Sequence, residues 1–168
     1  MMVTKTLPLI VSLFCGVFLC QLLSERNSSN VHAMTAHGTE KKTLVTVPLD
    51  GGMEAVVALD HVSGDLTGYV LNRISGQFFI RYRHNVIKEF PEHAGSYLMA
   101  TGIADFRGFR GNSRVASGVV YVSEESSGRV VAYALPWNPQ FATSAAASQE
   151  LGFIVLDQAA TRFTNLER

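Results

Sequence analysis

The chain has 168 residues, 47% of them hydrophobic and 17% charged, and its 14 basic residues balance its 14 acidic residues to a net charge of zero. This length suits one domain and a targeting segment, and a neutral chain has no global attraction to nucleic acid, which is therefore not an expected partner. The two cysteines, Cys15 and Cys20, both lie near the N-terminus, which excludes a disulfide-stapled domain.

A positive charge followed by a long apolar run makes the N-terminus typical of an export signal. Lys5 is the only charged residue before Glu25, and residues 7–23 between them are almost wholly apolar. The run falls within the length range of a helix that spans a bilayer. Residues 1–24 are therefore predicted to form a hydrophobic helix that is a signal anchor or a cleaved signal peptide. No small-residue cleavage site follows closely, which favours the anchor, with the membrane as a partner through residues 7–23.

This signal predicts an exported protein. Lys5 keeps the N-terminus in the cytoplasm by the positive-inside rule. The domain is then expected outside the cytoplasm, anchored to the cell membrane, or secreted if the signal is cleaved. Residues 25–42 are polar and predict a linker, and residues 43–168 are the predicted domain.

Short β-branched or apolar runs, separated by turn residues, predict a series of strands in this domain. They are residues 43–47, 53–59, 66–71, 77–83, 97–103, 118–123, 129–135 and 153–156. Residues 84–90 fit either a short strand or a helical turn, and residues 141–150 fit either a loop or a short helix.

Two segments, residues 56–71 and 120–135, repeat one pattern in the same order. Each has an apolar strand, an acidic residue (Asp60 or Glu124), a Ser-Gly pair and a second strand with a central tyrosine. The glycine supplies the positive φ that a tight turn needs. The predicted fold is all-β: an antiparallel sheet or a two-layer sandwich built from two related hairpin units, preceded by the N-terminal hydrophobic helix.

The spacing D-x-x-S-G-x-L-x-x-Y-x-L of the first unit resembles the hairpins of β-propeller blades. The stretch Y-A-L-P-W-N at residues 133–138, with the apolar N-terminus, is similar to small uncharacterised bacterial envelope proteins. The resemblance covers the chain from Met53 onward and implies hairpin geometry without an activity. A blade needs about four strands, so the domain has length for two such units and not for a complete propeller.

Residues 55–59 and 119–122 are apolar at consecutive positions, so both faces of each strand are apolar. Such strands either lie centrally and are covered on both sides, or pack against another subunit, which makes a homo-oligomer a predicted partner. Zero net charge also favours self-association. Trp137 ends a predicted strand and is expected to be either a core residue or an interface anchor.

No constellation of metal-ligating residues is visible, and neither a metal nor another cofactor is predicted. The histidines lack partners at metal-ligand spacing and are predicted to be exposed loop residues. They are His32, His37, His61, His84 and His93.

Four acidic residues, Asp60, Asp65, Glu124 and Glu125, flank the two Ser-Gly turns. Carboxylates at such positions bond to their own backbone, so they are predicted to stabilise the turns. Weak Ca²⁺ binding by Asp60 and Asp65 is the alternative, although the spacing departs from an EF-hand loop.

Residues 105–114, D-F-R-G-F-R-G-N-S-R, alternate arginine, phenylalanine and glycine. Arginine planes and aromatic rings on a flexible backbone suit an anionic ligand, so Arg107, Phe109, Arg110 and Arg114 are the candidate ligand-binding residues. The alternative is a surface loop whose phenylalanines pack on the sheet. Four further cations would extend the basic surface if their strand lies nearby: Arg73, Arg81, Arg83 and Lys88.

Three function classes follow from these observations. The first is a non-catalytic exported envelope protein that acts by protein–protein contact or self-assembly, because catalytic sets are missing and apolar strands are present. The second is a binding module for an anionic glycan, lipid or other polymer through the Arg/Phe/Gly loop. The third is a hydrolase that uses Asp60, Glu124 or His61, and the balance favours a protein that is not an enzyme.

Overall fold

The computed structural model describes residues 36–90, 96–106, 114–143 and 148–161. The predicted signal segment, residues 1–24, lies outside the described residues, as does most of the predicted linker. The first described strand, Ala36–Gly38, falls within the segment predicted as linker and pairs with the strand that follows it.

Within the described residues the chain forms ten strands and two short 3-10 helices. The strands are β1 (Ala36–Gly38), β2 (Lys42–Leu49), β3 (Met53–Asp60), β4 (Asp65–Leu71), β5 (Phe78–Asn85), β6 (Tyr97–Ile103), β7 (Val115–Glu124), β8 (Arg129–Pro136), β9 (Gln149–Gly152) and β10 (Ile154–Ala160). The 3-10 helices are Val86–Lys88 and Pro139–Thr143. The all-β prediction is confirmed.

The strands form two sheets. One has six strands in the order β1-β2-β3-β4-β5-β9, and the other has four in the order β10-β8-β7-β6. Neighbouring strands are antiparallel, except that β9 pairs parallel with β5. Phe153 alone separates β9 from β10, so the chain passes from one sheet to the other at this residue.

The two segments that the sequence left open each contain more than one element. In residues 84–90, β5 continues to Asn85, whose side chain accepts a hydrogen bond from the Ile87 N–H and begins the 3-10 helix Val86–Lys88. In residues 141–150, a 3-10 helix ends at Thr143 and β9 begins at Gln149. The polar sequence of β9, Q-E-L-G, has no local strand pattern, and its pairing with β5 supplies the strand hydrogen bonds.

One buried cluster joins the two sheets. The six-stranded sheet contributes Val57, Leu66 and Tyr82, and the four-stranded sheet contributes Val122 and Tyr133, all shielded from solvent. Burial of an aliphatic or aromatic side chain stabilises the folded state by roughly 1.5–3 kcal/mol. The apolar faces that the strand pattern predicted therefore meet each other.

Three hairpin turns share one construction. The carbonyls of Asp60, Asn72 and Glu124 accept hydrogen bonds from the N–H of the glycine four residues later, at 2.9, 2.8 and 3.0 Å. The side chains of the same three residues accept from the N–H groups two and three positions on. Each of the glycines has a φ of 63–69°, the left-handed conformation that the sequence pattern requires.

The β3–β4 and β7–β8 hairpins have the same register but opposite orientations toward the core. Val56 pairs with Tyr69 in the first, and Val120 pairs with Tyr133 at the equivalent positions of the second. Val56 and Tyr69 are half-exposed on the outer surface, whereas Val120 and Tyr133 are buried in the core. Equivalent positions of the repeat therefore face solvent in the first hairpin and the core in the second.

The two sheets approach each other closely at Gly118. A Cβ on this residue would lie nearer to the Pro48 carbonyl and the Val47 side chain than real Cβ atoms come to any neighbour. Gly118 belongs to β7, in the stretch where its register with β8 shifts, and it faces β2 of the other sheet. Only a residue without a side chain fits there.

Polar bonds also link elements of the two sheets. The Tyr82 hydroxyl on β5 donates to the Pro136 carbonyl at the end of β8, at 2.8 Å. The indole N–H of Trp137 donates to the Asp50 carbonyl in the β2–β3 turn, at 2.9 Å. Trp137 is buried, so of the two expected positions it occupies the core. Burial raises the pKa of Tyr82 far above its usual range, which keeps the hydroxyl protonated as a donor.

Candidate functional site

Of the four predicted ligand-binding residues, the structure describes Arg114. Arg107, Phe109 and Arg110 lie outside the described residues. Arg114 is exposed and directly precedes β7, and its carbonyl accepts a hydrogen bond from the Trp137 N–H at 2.9 Å. The core therefore fixes the backbone at this end of the predicted loop while the guanidinium remains accessible to a ligand.

The four further cations lie on β5 of the six-stranded sheet or beside it, whereas Arg114 precedes β7 of the four-stranded sheet. Arg81 and Arg83 are exposed on the outward face of β5, where Arg83 pairs with Glu150 at 3.5 Å. The Arg81 guanidinium lies 5.5 Å from the centre of the Tyr69 ring, a cation–π contact. Arg73 is exposed in the β4–β5 turn, and Lys88 is exposed in the 3-10 helix after β5.

Three of the four acidic residues, Asp60, Asp65 and Glu124, stabilise turns as predicted, whereas the Glu125 carboxylate accepts a hydrogen bond from the Ser96 hydroxyl at 2.6 Å. Asp60 accepts hydrogen bonds from two backbone N–H groups, which lower its pKa. Glu124 is only 1% exposed; burial alone would raise its pKa, but hydrogen bonds from the side chains and N–H groups of Ser126 and Ser127 lower it to about 2. Asp65 accepts from Ser63 and Asn85 side chains. Carboxylates committed in this way are poorly placed for proton transfer.

The prediction of exposed loop histidines is wrong for His61 and His84. His61 is 6% exposed, with Nε2 2.9 Å from Thr43 Oγ1 and Nδ1 3.2 Å from the Glu40 carbonyl. Its ring also makes an edge contact with Tyr97. The sequence places His61 in a turn, but its N–H bonds to the Lys41 carbonyl beside β2 and its ring packs on Tyr97 of the other sheet, so long-range packing determines the burial.

A polar cluster that the sequence did not predict surrounds Glu89. One of its carboxylate oxygens lies 3.0 Å from His84 Nε2 and accepts a hydrogen bond from the Tyr133 hydroxyl at 3.2 Å. Its carbonyl accepts from the Arg129 guanidinium at 2.8 Å. Burial, followed by the charge of Glu89, raises the pKa of Tyr133 well above its usual range, so the hydroxyl is a donor. The sequence repeat singled out Tyr133 as the central tyrosine of its strand, but no short-range sequence pattern predicts its contact with Glu89 and, through Glu89, with His84.

This cluster borders a shallow cleft of about 450 Å³ between the end of β5 and the β8–β10 pair. The cleft is lined by Lys88, Glu89, Arg129, Val155, Asp157 and Gln158. Its charges are mixed, and the Glu89 carboxylate is already bonded to His84 and Tyr133. The bonds from Tyr133 and Arg129 of β8 to Glu89, which follows β5, link the two sheets at this cluster.

The outer surface of the six-stranded sheet carries apolar side chains among charged and threonine side chains. Phe78 is 60% exposed and its ring lies 5.6 Å from that of Tyr69, which pairs across the sheet with Val56. Leu71, opposite Phe78, and Leu44 on β2 are also exposed. With Arg81 on the Tyr69 ring, this outer face combines the aromatic and arginine side chains that are enriched at protein interfaces.

The four-stranded sheet has an outer face of smaller side chains. Leu98 on β6 is 67% exposed, Ala100 is exposed, and Tyr121 on β7 is partly exposed opposite Ala100. The Tyr121 ring lies over Gly102, because a Cβ there would be 3.0 Å from its Cε2 atom. Both sheets therefore expose apolar groups outside the core that joins them.

Within the described ranges, no helix is long and apolar enough to cross a membrane, and no group of three or more His, Cys, Asp or Glu side chains is arranged to hold a metal ion. Comparisons with family models, with curated proteins and with solved structures found no match to this chain.

Proposed function

We propose that this chain is a non-catalytic exported protein that acts by protein–protein contact, in the first place with copies of itself. The observation that carries the proposal is the exposed apolar surface of both sheets, with Phe78 and Leu98 each more than half exposed. Contiguous apolar surface with aromatic residues and arginine is typical of interaction sites. The zero net charge of the chain adds no repulsion between copies.

The test is the molar mass of the purified full chain in detergent micelles, measured by light scattering over a dilution series. We expect a discrete oligomer that survives dilution. The double variant Phe78→Ser/Leu98→Ser should lower the oligomer fraction, whereas Val62→Ser, at an exposed turn position, should leave it unchanged. A chain that is monomeric at every concentration would contradict self-association.

The proposed location is outside the cytoplasm, with residues 7–23 as a membrane anchor or as part of a cleaved signal. The apolar run behind Lys5 supports this. A chain carrying Ala159→Cys, with Cys15 and Cys20 replaced by serine, should react with a membrane-impermeant maleimide on intact cells, because Ala159 is exposed. Labelling only after cell lysis would contradict an external domain.

Binding of an anionic polymer or lipid is a second candidate function, supported by the exposed position of Arg114 on a backbone fixed by Trp137. We expect the triple variant Arg107→Ser/Arg110→Ser/Arg114→Ser to lose retention on a dextran sulfate column. The matched control, Arg73→Ser/Arg81→Ser/Arg83→Ser, removes the same charge elsewhere. Equal retention of the two variants would exclude a specific role for the loop. The hydrolase alternative has weaker support, because Asp60 and Glu124 are bonded in turns and His61 is buried.

The two hairpins are also proposed to be related units. Their common register and their identically constructed turns support this relation.

A further inference from the structure

In the part of the chain that the structure describes, the four edge strands differ in how well they are protected against pairing with another chain. β1 has only three residues, and β9 has four, one of them Glu150. β10 carries Asp157 and a register shift beside it. Short length, charge and irregular register are the devices by which proteins blunt sheet edges. Three of the four edges therefore carry such a device.

β6 carries none of them. Its seven residues, Y-L-M-A-T-G-I, include no charged residue and no proline, and its register with β7 runs without a shift from Tyr97 to Ile103. An uncharged, regular edge of this length is a template for strand addition.

The ends of the β6–β7 ladder show which backbone groups face outward. The Glu125 N–H donates to the Ser96 carbonyl at 3.0 Å, and the Ala104 N–H donates to the Ser117 carbonyl at 2.8 Å. Hydrogen-bonded pairs alternate along an antiparallel ladder, so Ala100, like Ser96 and Ala104, bonds to β7. The N–H and C=O groups of Met99 and Thr101 point the other way, and no described residue bonds to them.

We propose that β6 pairs antiparallel with β6 of a second copy of this chain, with a twofold axis at Ala100, so that the two four-stranded sheets continue into one. This proposal rests on the proposed self-association and names its interface. The axis at Ala100 aligns the two seven-residue strands along their full length. It places Met99 opposite Thr101 of the second copy and Thr101 opposite Met99, which gives four backbone hydrogen bonds at the centre.

The side chains fit this register. Ala100, exposed on the outer face, meets its own copy, and two methyl groups at the axis do not clash. Leu98 lies opposite Gly102 of the second copy, where the Tyr121 ring covers a backbone without a side chain. The 67% exposed Leu98 then gains an aromatic neighbour on each side of the dimer.

A second copy is the favoured occupant because an antiparallel pairing of identical strands repeats every contact twice. β6 carries no charge, so no like charges within the paired strands oppose each other across the axis. A strand of a different protein would satisfy the same backbone groups without this symmetry.

Disulfide trapping in the full chain tests the register. With Cys15 and Cys20 replaced by serine, Ala100→Cys places two thiols in a non-hydrogen-bonded pair, at a Cα separation of about 4.5 Å that a disulfide can bridge. Copper–phenanthroline oxidation should cross-link this variant to a dimer at least tenfold faster than Ala159→Cys. The control is matched, because Ala159 is exposed on the outer face at the opposite edge of the same sheet. Equal rates would overturn the proposal.

Hydrogen exchange provides a measurement without substitution. In the paired state, the amides of Met99 and Thr101 should exchange at least tenfold more slowly at high than at low protein concentration, while that of Ala100 changes less because it already bonds to β7. Concentration-independent exchange at Met99 and Thr101 would refute the edge pairing. If light scattering still shows an oligomer in that case, self-association stands and the interface lies elsewhere; a monomer would remove both proposals.

Discussion

Glu124 stabilises the β7–β8 turn from an almost wholly buried position. The residue ends β7 and is almost wholly buried, and its carboxylate accepts hydrogen bonds from Ser126 and Ser127. A buried charge is tolerated only when such bonds satisfy it. The sequence correctly predicted its role in the turn, because an acidic residue before a Ser-Gly pair is a local signal. It could not predict the burial, since that depends on where the hairpin tip meets the rest of the fold.

Replacing Glu124 with glutamine should destabilise the protein at neutral pH. Glutamine keeps the size but offers one neutral acceptor in place of the charged carboxylate that binds the turn. We expect a loss of roughly 1–3 kcal/mol in the free energy of unfolding, measured by denaturant titration of the full chain. Glu54→Gln, at an exposed position of β3, is the control and should change stability by less than about 0.5 kcal/mol. Equal effects would contradict the role of the carboxylate.

Glu124→Gln should also differ from the wild type in how its stability depends on pH. The folded state lowers the pKa of Glu124 from its ordinary 4.5 to about 2, so the stability that its charge contributes is complete above about pH 4.5 and is lost as the pH falls toward 2. The difference in unfolding free energy between wild type and Glu124→Gln should therefore shrink across this range. A difference that is constant from pH 6 to pH 2 would show that the carboxylate titrates normally.

At the scale of elements, the strand pattern could be predicted where it is local and not where it is long-range. β3 and β7 are internal strands of their sheets, but each turns only one face to the core, because Val56 of β3 and Tyr121 of β7 lie on the outer surfaces. β9 could not be predicted, because its four residues have no apolar alternation and form a strand only beside β5. The opposite orientations of the two hairpins could not be predicted from the sequence either, because a strand that is apolar on both faces does not specify which face enters the core.

Gly118 provides a test of how closely β7 approaches β2. Gly118→Ala should cost roughly 1–3 kcal/mol or more in unfolding free energy, because the new methyl group must displace the backbone at Pro48. Gly152→Ala is the control: its Cβ would meet only the Arg83 carbonyl, at 3.9 Å, and we expect a change below about 1 kcal/mol. If thermal or denaturant unfolding shows equal stability for the two variants, the close approach of the sheets is not rigid.

At the scale of the whole molecule, apolar packing and a few polar bonds together hold two sheets in one orientation. Tyr82, Tyr133 and Trp137 each combine a buried ring with a hydrogen bond to another element. The sequence predicted the all-β class and left a single sheet and two layers open. It could not identify the partners of these donors, which lie 44 to 87 residues away along the chain.

Removing the Tyr82 hydroxyl should weaken the link between the sheets without altering the core. Tyr82→Phe leaves the Pro136 carbonyl without this donor, and we expect a loss of about 1–2 kcal/mol in unfolding free energy. Tyr69→Phe, on the outer face, keeps the ring beneath Arg81 and should be nearly neutral. Equal stability of both variants in denaturant titrations would show that Tyr82 contributes through its ring alone.

The crossing at Phe153 has a consequence for chain synthesis. Translation completes β2 to β8 before β9 and β10 exist, so each sheet first has an open side at β5 or β8. β8 is largely apolar and β5 begins with three apolar residues, and the residues that cover both strands are translated after them. A ribosome that stalls, or a premature stop codon before Gln149, would release a product with two unprotected strands. Such truncated chains should be prone to aggregation and rapidly degraded, although every earlier hairpin is intact.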